Sequence, residues 1–184
     1  MKWLTDYEEA LREARHQHRP ILMQFEKEGC LGCHKLYTTT YVHPAVQEEL
    51  RQWFVLLKQH IRKDRKVRAN YAAVWTPSLY FLDSRGKAYY DIAGYLNVED
   101  FRVVLRYGLA RIQIPRGQYT EAIQHLEDGL HRWPDNPRAS SLLYWRIIAD
   151  YLKTWDQQRM RMQFEELRRR YPESAEARMW PYLD

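Results

Sequence analysis

The chain is poor in cysteine, with two in 184 residues, so no disulfide scaffold holds it together. The pair, Cys30 and Cys33, is too closely spaced to close a large loop. A second Cys-x-x-Cys, which would complete a four-thiolate zinc site, is missing. No apolar run approaches the roughly 18 residues of a membrane helix. The opening MKWLTDYEEALREARHQHRP lacks the apolar stretch and small-residue cleavage site of a secretory signal. These absences lead us to expect no membrane span and a cytoplasmic location, with the periplasm as the alternative if a signal has been removed.

What is present is a globular composition. Apolar residues make up 45% and aromatics 14%, enough for a core and far from a disordered chain. The net charge of +5 is unevenly placed. Residues 1–114 carry 18 Lys/Arg against 13 Asp/Glu, while residues 115–184 carry 11 of each. Much of the excess sits in RKDRKVR, residues 62–68. Such a run is by default a solvated loop. One basic loop is not a basic face, so no nucleic-acid partner is expected.

Along the chain, residues 5–18 predict a helix that Thr5 or Asp6 can cap, stopped at Pro20. ILMQF, 21–25, has strand length and reads as buried. The cysteines follow and open a helix with a Thr-rich interruption. A second helix runs from Pro44 to Trp53, with proline suited to its first turn. FVLLKQHI, 54–61, is the next strand, so the segment is a βαβ unit with parallel strands. VRANYAAV, 67–74, predicts a short helix. Ser78–Leu82 and residues 88–94 flank the turn DSRGK and form a hairpin. Asn97 then caps a long helix. From residue 115 the pattern is wholly helical, with helices near 119–132, 138–153 and 156–171. HRWPDNPRA and RRYPESAEA resemble two copies of one helix-ending device, 38 residues apart from Pro134 to Pro172, close to the period of helical-hairpin repeats.

Three chemistries use a Cys-x-x-Cys pair. Cys30, Cys33 and His34 match the short haem-attachment signature, but a pair opening a helix straight after a buried strand offers no haem pocket. Zinc would have to draw on His16, His18, His34 or His43, whose spacing makes no familiar pattern. Thiol–disulfide exchange suits the context. A cysteine at a helix start faces unpaired amides that favour the thiolate. Cys30 then attacks, and Cys33, one turn inside, resolves the mixed disulfide.

The order strand, Cys-x-x-Cys, helix, strand, helix, WTPSLYFLD, hairpin and helix resembles thioredoxin-like proteins over about residues 1–112. The resemblance implies an α/β fold: a central mixed sheet flanked by helices. It implies a cis peptide at Thr76-Pro77 beside the cysteines, and it matches Gly94 to a glycine at the end of the last strand. The sites it brings into play are Cys30, Cys33, Thr76 and Pro77, with no cofactor beyond a redox-active disulfide and no metal. There are departures. Gly29 replaces the usual tryptophan, Leu31-Gly32 replaces Gly-Pro, and Gln24 stands where many members bury an aspartate. Gln24 cannot take a proton, so Glu26 or Glu28 would have to substitute by pointing inward. Arg62, Lys63, Arg65 and Lys66 leave a parallel strand at the sheet edge where the cysteines lie, and with His34 and Trp75 they are the candidate partner-binding residues.

Gly117, Tyr119, Ala122, Leu126 and Pro134 resemble the second helix of a tetratricopeptide repeat, with the next two helices as a full pair. The preceding long helix would supply the missing first helix and join the two parts rigidly. The expected division is therefore a thioredoxin-like domain, 1–114, and a tetratricopeptide-like tail, 115–184, that binds a partner or caps the domain. The expected function is a thiol–disulfide oxidoreductase for protein substrates, working with a redox donor or acceptor protein. A non-catalytic adaptor or redox-sensing module is the alternative, favoured by Gln24 and by the missing Trp and Pro.

Overall fold

The structure is a computed structural model and describes residues 2–179. Two compact units divide it, residues 1–101 and 102–184.

In the first unit, helix α1 (Tyr7–His16) begins at Asp6, whose carboxylate accepts the Glu9 amide at 2.6 Å. Of the two caps expected, Asp6 serves. Strand β1 (Ile21–Glu26) is buried through Phe25. Helix α2 (Leu31–Lys35) runs into one π-helical turn, Leu36–Thr40, closed by the Tyr41 amide on the Leu36 carbonyl at 2.8 Å. The expected Thr-rich interruption is therefore a continuation of the helix. The Thr38 and Thr39 hydroxyls donate back to the His34 and Lys35 carbonyls, at 3.0 and 2.6 Å, so the threonines are accommodated without breaking it. Helix α3 (Pro44–Trp53) starts on its proline, and His43 caps it by accepting the Ala45 amide.

Strand β2 (Val55–His60) is followed by helix α4 (Arg65–Asn70). This corrects two expectations. Much of the basic stretch is helical rather than loop, and the helix expected over 67–74 starts earlier and stops at Asn70. Arg and Lys are good helix formers, whereas Ala72 takes a positive φ of 49° and ends the run. Strands β3 (Ser78–Leu82) and β4 (Ala88–Ala93) make the hairpin.

The sheet order is β2-β1-β3-β4. β1 and β2 are parallel, and the other pairings are antiparallel. Side chains alternate between faces along a strand. Ile21, Met23 and Phe25 join Ala10, Leu11 and Ala14 of α1 in one core. Leu22, Gln24 and Glu26 accordingly share the opposite face. Parallel register puts Lys58 beside Gln24 and His60 beside Glu26.

Helix α5 (Val98–Gln113) starts at Asn97, whose side-chain oxygen accepts the Asp100 amide at 2.9 Å. The division between the units falls inside it. The second unit adds helices α6 (Tyr119–Arg132), α7 (Ala139–Thr154) and α8 (Gln157–Arg170). Its core includes Val103, Leu126, Leu142, Ile147, Phe164 and Leu167. The two repeated endings adopt one geometry: Trp133 has φ −137° and ψ 65°, Tyr171 φ −131° and ψ 59°. Each returns its amide to a carbonyl four residues back, on Gly129 and Leu167. Proline follows in both and cannot continue the helix.

Candidate active site

Cys30 is the N-cap of α2, in extended conformation, and its sulfur accepts the Cys33 amide at 3.1 Å. The cysteines are joined as a disulfide with 5.3 Å between their Cα atoms. Both cysteines are buried, Cys30 8% and Cys33 3% exposed, while Leu31 between them is 86% exposed. Gly29, before the pair, has a φ of +70°, a conformation that glycine adopts without the strain a tryptophan would carry.

The loop before β3 closes one side. Thr76-Pro77 is a cis peptide, and both residues are buried. A Cβ on Gly32 would lie 2.7 Å from Pro77 Cδ, so the Pro77 ring packs against the turn between the cysteines. The Gly94 amide donates to the Pro77 carbonyl at 2.8 Å, tying this loop to the end of β4. Trp75, 64% exposed, and Val74, 84% exposed, stand on its outer side.

A cleft of about 470 Å³ opens beside the pair. Its walls include Glu26, Glu28, Cys30, Cys33, Tyr37 and His60. His34 also borders it from the exposed side of α2. The two glutamates behave differently. Glu28 is exposed and clamped from outside: its Oε1 accepts Lys63 Nζ at 2.7 Å, and its Oε2 meets His60 Nε2. The Arg62 and Lys63 amides donate to His60 Nδ1, both at 3.2 Å. Nε2 therefore carries the His60 hydrogen and donates to Glu28. The Lys63 hydrogen bond, then a backbone amide and His60, hold the Glu28 carboxyl down at about 2.

Glu26 belongs to an inner network. Tyr37 Oη donates to Glu26 Oε2, and Gln24 Nε2 donates to Tyr37 Oη at 2.8 Å and to Glu26 Oε2 at 3.3 Å. Tyr41 Oη donates to Gln24 Oε1. Gln24 is fully buried, with both ends of its amide engaged. Burial first, then the Glu26 hydrogen bond, pushes the Tyr37 hydroxyl up, and burial does the same to Tyr41. Lys58 sits 4.2 Å from the centre of the Tyr37 ring, its ammonium pushed down by burial against the pull of Glu26.

Of the residues singled out from sequence, Cys30, Cys33 and Pro77 come together, with Thr76 adjoining, while Arg62, Lys63, Arg65 and Lys66 are exposed around the start of α4. Sequence reasoning missed Tyr37, Tyr41, Lys58 and His60. Tyr37 carried a usable signal, since it lies one turn beyond Cys33 and so on its face of the helix. Among the described residues no group of three or more His, Cys, Asp or Glu is placed to hold a metal. No described helix is long and apolar enough to cross a membrane.

A thioredoxin-like domain family matches residues 7–109. The chain belongs to that family. It is 25% identical over 118 residues to a thiol:disulfide interchange protein DsbD of Ralstonia nicotianae, covering 61% of this chain and 19% of that protein. The chain thus spans only a small part of that relative. In fold it is similar to a thioredoxin from Thermus thermophilus, with a TM-score of 0.53 at 23% identity, over 58% of this chain and 85% of the other. It is similar also to a DsbH oxidoreductase, with a TM-score of 0.52 at 18% identity, over 59% and 84%.

Proposed function

We propose that the protein is a thiol–disulfide oxidoreductase acting on protein substrates, with Cys30 attacking and Cys33 resolving. The observation that carries this reading is the Cys30 sulfur at the start of α2, accepting the Cys33 amide at 3.1 Å. A donor aimed at the sulfur favours its anion, and the thiolate is the nucleophile. Electrons pass two at a time between the cysteine pair and a partner's pair. The redox-active disulfide is the whole cofactor in this reading, with a donor or acceptor protein returning it to its starting state.

Substrate recognition is assigned to the surroundings. Leu31, Val74 and Trp75 expose apolar surface on the two segments that meet at Gly32 and Pro77. Arg62, Lys63, Arg65 and Lys66, with His34, would favour acidic partners. The helical unit is proposed to bind a partner, and its two matching helix ends support a repeat of the tetratricopeptide kind. Disulfide exchange is natural where disulfides persist. The cytoplasmic expectation gains no support from the thiol–disulfide interchange relative, and we favour the periplasmic alternative.

The test is reduction of a protein disulfide by the full chain, wild type against Cys30→Ser, with titration of the Cys30 thiol. We expect a Cys30 pKa clearly below the ordinary value of about 8.5 and loss of turnover in the variant. An ordinary pKa without turnover would establish the adaptor instead.

A further inference from the structure

We propose that Glu26, oriented by the Tyr37 hydroxyl, takes the proton of the Cys33 thiol when that sulfur resolves a mixed disulfide on Cys30. The inference rests on the redox reading above and names the base for its second step.

The need is chemical. A resolving thiol attacks as its thiolate, and Cys33, 3% exposed, has little access to bulk water. Gln24, on the strand beneath, is an amide with both ends occupied. Glu28 is turned outward into its clamp with Lys63 and His60, and His60 spends Nδ1 on two amides and Nε2 on Glu28. Glu26 lines the same cleft as both sulfurs. Its Oε2 is held by Tyr37 and Gln24, and among the described residues no hydrogen bond engages Oε1. In the proposed step Glu26 stands within direct reach of the Cys33 proton or one water away, as a general base requires.

The groups facing Glu26 fit that role. From the helix side come Tyr37 and Tyr41, both held as hydroxyls by burial and so donors rather than bases. From β2 come Lys58 and His60; from the loop after β1, Lys27 and Glu28; across the cleft lie Cys30, Cys33 and His34. Strand alternation explains the arrangement. Gln24 and Glu26 share one face of β1, so the amide at 24 and the carboxylate at 26 both turn toward Tyr37.

In the step, the Cys33 S–H bond breaks and a Glu26 O–H bond forms. The Cys33 sulfur bonds to the Cys30 sulfur, the bond from Cys30 to the substrate sulfur breaks, and its electron pair leaves with the substrate as a thiolate. That thiolate takes a proton from Glu26 or from water. The pair has lost two electrons, and the substrate disulfide has become two thiols. A small dithiol such as dithiothreitol reduces the pair again.

The experiment is a single turnover of the reduced full chain with dithiodipyridine. The first thiopyridone reports attack by Cys30, and the second reports resolution by Cys33. In Glu26→Gln we expect the first release unchanged. The second should be slowed about a hundredfold or more near neutral pH, in line with the usual size of general-base help, with its pH profile moved upward. Tyr37→Phe should move the profile the same way by less. Adding Gln24→Asp to Glu26→Gln should bring it back, which a merely structural role for Glu26 would not produce. A second release in Glu26→Gln that follows the wild-type profile overturns the proposal. Absence of Cys30-dependent reduction of a protein disulfide by the same wild-type preparation removes the functional reading instead, while the second-release profile still decides the proton acceptor.

Discussion

Gly32 lies against the Pro77 ring so closely that a Cβ at position 32 would come within 2.7 Å of Pro77 Cδ. The atom it would meet is part of a ring fused to the backbone, which cannot swing aside as a flexible side chain would. Gly32→Val should therefore force the loop and the cysteine turn apart. Overpacking of this kind costs about 1–3 kcal/mol, to be read from the denaturant midpoint. Turnover should fall with it, because the displaced groups border Cys30 and Cys33. A wild-type midpoint in this variant would mean that the two segments do not pack together.

The clamp on Glu28 predicts a specific pH dependence. Its carboxyl is lowered from an ordinary value of 4.5 to about 2, chiefly by the Lys63 hydrogen bond. A lowered folded-state pKa contributes stability that is fully present above the unfolded value and lost as pH falls through the folded one. The stability difference between wild type and Glu28→Gln should be constant above about pH 4.5 and fade toward pH 2. Both Glu28 and Lys63 are exposed, so the difference should be small and should shrink in high salt. Urea titrations across that range at two salt concentrations would show whether it does.

In the helical unit, Arg106 is nearly buried, its side chain 3% exposed, and donates to Asp128 at 2.5 Å. Its guanidinium also stands 5.0 Å from the centre of the Trp133 ring. Asp128→Ala would take the carboxylate from a nearly buried guanidinium that keeps its hydrogen bond to the Arg102 carbonyl at 3.0 Å. A fully buried pair broken this way costs about 3–5 kcal/mol. Asp128 is 38% exposed and water can partly replace it, so about 2 kcal/mol is expected. Asp128→Asn, which keeps an acceptor, should cost less. Equal losses in the two variants would show that packing, not charge, sets the effect.

Much of this fold was legible because its signals are local. The run ILMQF has the length of a buried strand, Pro44 and Pro134 mark a helix start and a helix end, and Asn97 stands at a cap. Cys30 at the head of α2 follows from strand, pair and helix in order. The inner network was not legible, because it depends on register. Nothing local to Glu26 says that it shares a face with Gln24 against Tyr37. That takes the strand's alternation together with the helical turn from Cys33 to Tyr37. The basic stretch was misread for a related reason: charge suggested a solvated loop, but Arg and Lys also favour the helix that α4 forms.

The basic stretch yields the last prediction. Arg62, Arg65 and Lys66 are exposed where the chain leaves β2, on the side of the sheet from which β1 runs into the cysteines. If they recruit acidic substrates, they act on encounter rather than on chemistry, and long-range attraction of this sort raises association rates about tenfold or more at low salt. Arg62→Glu with Lys66→Glu should then lower kcat/KM on an acidic protein disulfide by about tenfold at low ionic strength, with kcat unchanged. Lys63 is left in place because it holds Glu28. At about 1 M salt, where the screening length falls to about 3 Å, the variant and the wild type should converge. A variant whose kcat/KM and salt dependence both match the wild type would remove the basic stretch from substrate recognition and leave that role to Leu31, Val74 and Trp75.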